Sequence, residues 1–300
     1  MPRSPLALFL LAAAAQAVPE GFVIREYLGN AQVPEIYPTA VTAAANGDLY
    51  VSSDKNGSLG HKPGMGRILL ARDTKGAGVA DQVIEYAKVE SPRGGHFVGG
   101  VLYLVHPPFL SKFQDKDGDG KADYNTERTL LVDGLGGGIE HPRGADHTTN
   151  GCRMGIDGWL YIAVGDFGAG LLRDNAGAIG LGDQKRVTLY GGGVMRVRPD
   201  GSELEVYTEM TRNICDIAIS PTLDLFSRDN TNDGKGWNTR FHHFTSLANP
   251  GYPRLYKNFD DEIARPLADY GGGAGTGGLR SEEHTSELQS HSDLVCRLLL

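Results

Sequence analysis

The sequence contains little cysteine, little tryptophan and little positive charge. It has three cysteines and two tryptophans in 300 residues, and 29 Lys and Arg face 37 Asp and Glu. Three cysteines are too few for a disulfide-rich scaffold. The acidic balance argues against binding to a nucleic acid backbone. No apolar run after residue 17 approaches the length of about 20 residues that a membrane-spanning helix needs.

Glycine, in contrast, is abundant at 42 residues, and no long amphipathic helical pattern is present. Short apolar and aromatic strand cores recur around Leu49, Leu102, Leu160 and Leu225, at spacings of 53, 58 and 65 residues. A blade of several antiparallel strands explains such a period, because neighbouring blades in a ring cover the apolar faces of one another. We therefore predict an all-β fold, a β-propeller with roughly four to five blades between residues 18 and 279.

Both ends of the chain differ from this pattern. Residues 1–17 combine a short apolar run with the Ala15-Gln16-Ala17 cleavage pattern, which predicts a secretory signal and export to the periplasm or the extracellular space. An uncleaved anchor is the alternative. Residues 280–300 resemble a translated sequencing adapter, so we interpret them as a non-native tail. Cys152 and Cys215 remain, and their pairing in an oxidising compartment stays open.

A histidine and an acid lie at the two ends of one predicted hairpin. Asp157-Gly158 has the composition of a tight turn, and Trp159–Val164 is a continuous apolar run typical of a buried strand. The strands on the two sides of this turn would run antiparallel, so His147 and Asp166 would emerge at the same end of the sheet. The pattern predicts a general base with its orienting carboxylate, although a lone histidine is more often structural.

An acidic turn has the composition of a calcium loop, with hard oxygen ligands at alternating positions and turn glycines between them. The predicted ligands are Asp115, Asp117, Asp119 and Asp123. Position 12 of this loop is Thr126, where a bidentate Glu is expected. An earlier copy at Asp73–Asp81 keeps the glycines but has Lys75 and Ala77 where the second copy has its two middle acids, which favours a structural ion. A solvated acidic turn is the alternative.

Two further polar stretches precede or follow predicted strands. Arg212 and Asn213 stand just before an alternating strand, so the guanidinium could reach the same central space as His147 and stabilise an oxyanion. A surface ion pair explains Arg212 equally well. The stretch Arg228–Asn238 is predicted to be a polar loop, either a turn network or a binding site for a cation or polar ligand.

Together these motifs resemble the soluble quinoprotein glucose/sorbosone dehydrogenase superfamily of six-bladed propellers, from about Pro38 to Tyr270. The sequence is most similar to large exported propellers of Planctomycetes and Verrucomicrobia that carry the label of membrane-bound dehydrogenases. The block Asp146–Asp166 carries most of the resemblance, and the acidic turn and Pro266–Gly273 are also typical of that group. The resemblance implies a six-bladed fold that is truncated at its C-terminus here.

The resemblance also implies roles for individual residues. His147 would remove a hydroxyl proton from a carbohydrate or polyol while hydride passes to pyrroloquinoline quinone, and Asp166 would hold the imidazole. Arg212 would stabilise the quinone oxygen and Asn213 would lie beside it in the cofactor pocket. Calcium near the quinone would act as a Lewis acid. A haem protein or a haem domain would accept the electrons.

Two other functions fit a propeller of this composition. The first is a binding propeller that recognises glycans or proteins through its loops and catalyses nothing, since a rigid ring supports exchangeable loops. The second is a calcium-dependent lactonase. That activity would need carboxylates converging on the central channel, whereas the acids of this sequence cluster in a peripheral turn.

Overall fold

The computed structural model describes residues 23–167, 171–174, 187–230 and 238–272. The predicted signal at 1–17 and the predicted tail at 280–300 lie outside them. The described residues form eighteen β-strands and one short helix, α1 at Leu255–Asn258. None of their helices is long and apolar enough to cross a bilayer. The predicted all-β class is confirmed.

Four antiparallel blades follow one another along the chain, and each contains four strands in sequence order. Blade 1 contains β1 (Pro38–Ala43), β2 (Leu49–Asp54), β3 (Gly66–Arg72) and β4 (Gln82–Lys88), and blade 2 contains β5 (Gly95–Val98), β6 (Val101–His106), β7 (Phe109–Phe113) and β8 (Arg128–Asp133). Blade 3 contains β9 (Thr149–Met154), β10 (Leu160–Val164), β13 (Gly192–Val197) and β14 (Glu205–Thr211), and between β10 and β13 the chain forms a hairpin of β11 (Leu171–Asp174) and β12 (Val187–Thr188). Blade 4 contains β15 (Ile217–Ile219), β16 (Leu225–Asn230), β17 (Asn238–Phe244) and β18 (Ala268–Gly272). The described part of the chain is therefore a β-propeller of four blades.

The recurring leucines occupy the same place in each blade. Leu49, Leu102, Leu160 and Leu225 all lie in the second strand, and each is at most 1% exposed. They belong to four different apolar clusters, three of which combine residues of two adjacent blades. Burying a leucine stabilises a fold by about 1.5–3 kcal/mol, so these interblade contacts hold the blades side by side. The predicted repeat is confirmed.

The alternating strand direction gives the propeller two rims. We call the rim on which the first strand of a blade begins and the second strand ends the upper rim, and the opposite one the lower rim. The starts of β5 and β9 adjoin on the upper rim, because the Gly94 N–H donates to the Asn150 carbonyl at 2.8 Å. Because the third strand of a blade starts on the upper rim, the turns between the third and fourth strands of blades 1 and 2 lie on the lower rim.

The β11–β12 hairpin departs from the simple meander. It leaves blade 3 between β10 and β13, yet it adds to the edge of blade 2, where Arg173 of β11 pairs with Asp133 of β8. Within the hairpin, Leu171 pairs with Thr188. Backbone hydrogen bonding thus joins the outer edge of one blade to an insertion of the next.

The two cysteines of the described chain form no disulfide with each other. Cys152 is fully buried in β9, and its Sγ lies 3.7 Å from the carbonyl oxygen of Tyr103 in the neighbouring blade. Burial raises the pKa of this thiol to about 12, so it stays protonated. Cys215 lies in the turn before β15. The pairing left open by the sequence is absent because the Cys152 side chain points toward blade 2 and not toward blade 4.

Candidate functional site

His147 and Asp166 meet on the upper rim of blade 3. His147 stands just before β9 and Asp166 just after β10, and the two strands pair at Thr149 and Val164. Nδ1 of His147 lies 2.7 Å from Oδ1 of Asp166. A carboxylate partner fixes the proton on Nδ1 and leaves the lone pair of Nε2 available as a base. The predicted contact is confirmed, and its catalytic role stays a prediction.

A glycine allows the two chain segments to approach. A Cβ on Gly165 would lie 2.5 Å from the His147 carbonyl oxygen and 2.5 Å from Oδ1 of Asn213. The Phe167 N–H closes the same turn by donating to the His147 carbonyl at 3.0 Å. His147 itself has a φ of +52°, in the left-handed region that non-glycine residues seldom occupy. Strained backbone of this kind concentrates at functional sites.

An aromatic and a cation support the imidazole. The Phe167 ring stacks on the His147 ring with centroids 4.7 Å apart. The Arg143 guanidinium lies 4.4 Å from the centre of the Phe167 ring and forms an ion pair with Asp146 at 2.6 Å. The His147 side chain is 15% exposed and the Asp166 side chain 3% exposed. The imidazole is therefore partly accessible to a ligand, whereas its carboxylate partner is almost fully buried.

Arg212 and Asn213 reach the same rim from blade 4, just before β15. Arg212 is 5% exposed, and its Nη1 donates to Oδ1 of Asn230 at 2.7 Å. Asn213 accepts a hydrogen bond from Nδ2 of Asn150 at 3.2 Å and lies against Gly165. The structure thus brings Asn213 directly beside the turn that joins His147 to Asp166.

Tyr252 connects the acid of blade 3 with the cation of blade 4. Burial and the negative charge of Asp166 raise the pKa of its phenol, whereas the nearby Arg212 lowers it. The Tyr252 N–H donates to the carbonyl of Met210 at 2.8 Å, which fixes the tyrosine next to the Arg212 segment. Both charged groups act on one phenol, so the four predicted site residues belong to one neighbourhood. Tyr252 stands in the Asn249–Pro253 turn, whose composition is typical of a rigid turn with an aromatic side chain at a pocket rim.

A buried carboxylate lies behind Arg212. Asp229 is fully buried, and it accepts hydrogen bonds from Arg240 at 2.9 and 2.5 Å and from Nε2 of His242 at 2.8 Å. Burial alone would raise the pKa of Asp229, but His242 and Arg240 hold it at about 2. The predicted loop at Arg228–Asn238 is wrong at its ends, because residues 228–230 belong to β16 and Asn238 begins β17. Residues 231–237 lie outside the described chain.

The acidic turn lies between β7 and β8, on the lower rim. Asp115, Asp117 and Glu127 each place a carboxylate oxygen within 4.8 Å of the others. Asp119 and Asp123 do not join this group, and they accept backbone hydrogen bonds from the N–H of Lys121 and of Asn125 respectively, both at 2.8 Å. The calcium-loop pattern did not predict Glu127 as a ligand, because the pattern expects a glutamate at the position of Thr126, one residue earlier.

The position of this turn separates it from the His147–Asp166 pair. The pair lies on the upper rim, so a cation held by Asp115, Asp117 and Glu127 could not contact a ligand of His147. The earlier copy of the turn occupies the equivalent place between β3 and β4. There the Asp73 carboxylate accepts hydrogen bonds from the N–H groups of Ala77 and Gly78 at 2.9 and 2.6 Å.

The blade architecture makes this protein a β-propeller, and solved sugar dehydrogenases share that fold. The PQQ-bound aldose sugar dehydrogenase of Streptomyces coelicolor matches with a TM-score of 0.56 and 18% identity over 82% of this chain and 72% of that chain. A glucose dehydrogenase-type oxidoreductase of Thermus thermophilus matches with 0.58 and 19% identity, covering 87% and 76%. The holo PQQ domain of pyranose dehydrogenase from Coprinopsis cinerea matches with 0.52 and 14% identity, covering 91% and 67%. At these identities the TM-scores show a shared fold and no more.

The family follows from the sequence itself. Residues 11–266 match the family model described as domain of unknown function DUF7133, so the chain belongs to that family. No curated protein matches the chain significantly.

Proposed function

We propose that this protein is a quinoprotein-type dehydrogenase that oxidises a hydroxyl group of a sugar or polyol, with pyrroloquinoline quinone as the electron acceptor. The contact between His147 and Asp166 carries the proposal, because it orients an imidazole whose Nε2 is directed away from the carboxylate. The shared fold with the PQQ-bound sugar dehydrogenase supports the choice of cofactor and substrate class.

The residues present fit such a cofactor at its reacting end. Arg212 supplies a buried guanidinium and Asn213 an amide on the rim where the imidazole lies. A guanidinium stabilises an oxygen that gains negative charge, and an amide donates to a carbonyl oxygen. Arg212 and Asn213 would hold the quinone, which when bound would supply the two-electron acceptor.

The chain's own residues perform the proton transfer. Nε2 of His147 takes the proton of the substrate hydroxyl while the carbinol hydrogen leaves as hydride, so the alcohol becomes a carbonyl compound and loses two electrons. Asp166 stabilises the imidazolium that forms, because its carboxylate bonds Nδ1–H. Phe167 keeps the ring plane fixed. Arg212 stabilises the negative charge that arrives at the acceptor.

We also propose calcium binding at the acidic turn, with Asp115, Asp117 and Glu127 as ligands. Hard carboxylate oxygens suit this ion, and its role at the lower rim would be structural. Calorimetric titration of the chain with Ca²⁺ should detect one site that is lost in Asp117→Asn combined with Glu127→Gln. Unchanged heats of binding in the double variant would contradict this assignment.

Export and electron transfer to a haem protein complete the proposal. Both depend on sequence features outside the described residues or on resemblance. Expression of the gene in a Gram-negative host, followed by fractionation and N-terminal sequencing, should find periplasmic protein that begins at Val18. Reduction of a soluble c-type cytochrome in the presence of substrate and the loaded enzyme would identify haem as an acceptor.

Reconstitution tests the catalytic proposal directly. The purified chain is incubated with pyrroloquinoline quinone and Ca²⁺, and dye reduction is measured on a panel of aldoses and polyols. We expect quinone binding and turnover that depends on His147. No quinone binding, together with dye reduction unaffected by His147→Ala, would falsify the dehydrogenase. Retention of glycans on an array without any redox change would then favour the binding propeller.

A further inference from the structure

Two consecutive residues at the end of β16 hold Arg212. Oδ2 of Asp229 accepts the backbone N–H of Arg212 at 3.0 Å, and Oδ1 of Asn230 accepts Nη1 of the guanidinium at 2.7 Å. Asp229 is fully buried and Asn230 is 2% exposed. One residue fixes the main chain of Arg212 and the next fixes the direction of its side chain.

The two partners differ in charge in a way that matters for a ligand. An amide orients a guanidinium without adding negative charge, whereas a carboxylate would compete directly with an anionic group. The carboxylate of the pair, Asp229, forms its ion pair with Arg240 at 2.5 Å and bonds His242 on the other oxygen at 2.8 Å. The negative charge of Asp229 is therefore paired with Arg240 and His242, and the group that Nη1 of Arg212 contacts on β16 is the neutral amide of Asn230.

A buried network of charged groups often stabilises a fold no more than apolar residues would. Removing ions from water costs free energy that a buried pair recovers only with good geometry, and apolar residues of similar volume often do as well. Asp229, Arg240 and His242 are each at most 2% exposed. From this network Arg240 contacts the Pro250 carbonyl at 3.4 Å, and Asp229 accepts the Arg212 N–H on the upper rim.

We propose that Asp229 and Asn230 are positioning residues that fix Arg212 for an anionic oxygen of the bound ligand, and that neutrality at residue 230 is required for this role. The inference rests on the proposed function, because the ligand it addresses is the quinone. It adds to that function a specific requirement, which is that a near-isosteric acid at residue 230 should impair binding without unfolding the chain.

The first variant is Asn230→Asp, which keeps the size and hydrogen-bonding oxygen of the side chain. A carboxylate against Arg212 offsets the charge that the ligand needs, so we expect quinone affinity to fall about tenfold or more. Affinity is measured by equilibrium titration of the full chain with pyrroloquinoline quinone, followed by tryptophan fluorescence. Circular dichroism at the same temperature verifies that the variant is folded.

The second variant is His242→Gln, which replaces the rigid ring donor to Asp229 with a more flexible amide donor and is milder than loss of the acid. We expect faster hydrogen exchange at the Arg212 amide and weaker quinone binding. A matched control comes from the same hairpin, where His243 bonds Asp224 at 2.9 Å with both side chains about a third or more exposed. His243→Gln should change neither readout.

The outcomes separate this inference from the proposed function. A wild-type chain that binds no quinone overturns the proposed function and the ligand-directed role of the two residues with it. A wild-type chain that binds quinone while folded Asn230→Asp binds it equally well overturns the positioning role alone. Faster exchange at Arg212 in His242→Gln with unchanged affinity also overturns it, because Asp229 would then be only structural.

Discussion

Two histidine–aspartate pairs in neighbouring blades use the same contact in opposite surroundings. The His147–Asp166 distance is 2.7 Å and the His242–Asp229 distance is 2.8 Å. The first histidine is 15% exposed on the rim, and its acid is bonded to this imidazole. The second is 2% exposed, and its acid also binds Arg240 and the Arg212 backbone.

The comparison shows that surroundings, and not the contact itself, decide what such a pair can do. A base needs a nitrogen that a substrate can reach, which the rim position of His147 provides. A carboxylate shared among several buried donors instead holds other groups in place. Changes at the first pair should therefore affect chemistry, and changes at the second should affect stability and the position of Arg212.

The largest effect is expected at the rim pair. His147→Gln and Asp166→Asn should each lower dye-linked turnover by about 10²–10⁴-fold, because general base catalysis contributes about that much. Their free energies of unfolding should stay within about 1 kcal/mol of the wild type. Steady-state kinetics and urea unfolding measure the two quantities. His243→Gln serves as the exposed control. Turnover in the His147 and Asp166 variants equal to that of the control would contradict a catalytic role for the rim pair.

The buried pair should behave in the reverse manner. Asp229→Asn leaves Arg240 without a buried carboxylate, so the free energy of unfolding should fall by about 3–5 kcal/mol. Because the pKa of Asp229 is held at about 2, below its usual 3.8, its stabilisation is present above pH 3.8 and lost as pH falls toward 2. Urea unfolding at pH 7 and pH 3 checks both statements. A loss below 1 kcal/mol at pH 7 would contradict this reading of the network.

A third histidine, His106, extends the comparison of buried and exposed histidines, because its hydrogen-bond partner is a hydroxyl and not a carboxylate. His106 is 2% exposed, and its Nε2 lies 2.8 Å from the Ser111 hydroxyl. Burial, helped by the charge of Arg128, lowers the pKa of His106 to about 3. The unfolded chain binds a proton at this imidazole below pH 6.5, whereas the folded chain does so only near pH 3. The free energy of unfolding should therefore fall as pH drops from 6.5 toward 3, by about 2–3 kcal/mol at pH 4.5.

Urea unfolding between pH 7 and pH 4.5 measures this slope. His106→Gln should be less stable at pH 7 and should lose less stability over the same range. A variant with the wild-type slope would show that other groups cause the acid sensitivity.

The smallest effect is expected at the phenol between the two blades. Tyr252→Phe removes a hydroxyl influenced by Asp166 and Arg212, so turnover should fall about 3- to 10-fold at unchanged stability. Tyr256→Phe is the matched control, since the Tyr256 hydroxyl is buried and bonds no group of the described chain. The control should keep full turnover. Equal losses in both variants would indicate a general packing effect.

The rim pair could be predicted because one hairpin contains all the information. The Asp157-Gly158 turn and the strand after it determine that residues on both sides end at the same rim. The Asp229 network could not be predicted this way, because its members come from two strands whose ends lie within one polar stretch. The sequence of that stretch does not show where each strand ends or how the two pair. Arg240 and His242 stand two positions apart on one face of β17. That spacing of an arginine and a histidine is the feature of the sequence that could have indicated a buried acid opposite them.

The acidic turn shows the limit of motif spacing. The predicted ligands followed the alternation of a calcium loop, yet the Asp119 and Asp123 carboxylates do not converge with those of Asp115 and Asp117. Glu127 joins Asp115 and Asp117 because it stands directly before β8, which returns the chain to the start of the turn. Strand pairing, which the spacing of acids does not encode, decides which carboxylates converge.

The β11–β12 hairpin has a consequence for how the molecule unfolds. An insertion of blade 3 pairs with the last strand of blade 2, and the two blades also share one apolar cluster, so separating them breaks backbone hydrogen bonds and exposes apolar surface. Blades 2 and 3 should therefore form one cooperative unit in native-state hydrogen exchange, with a common opening free energy. The imidazole and carboxylate of the rim pair lie within that unit, so local opening there would be tied to melting of both sheets.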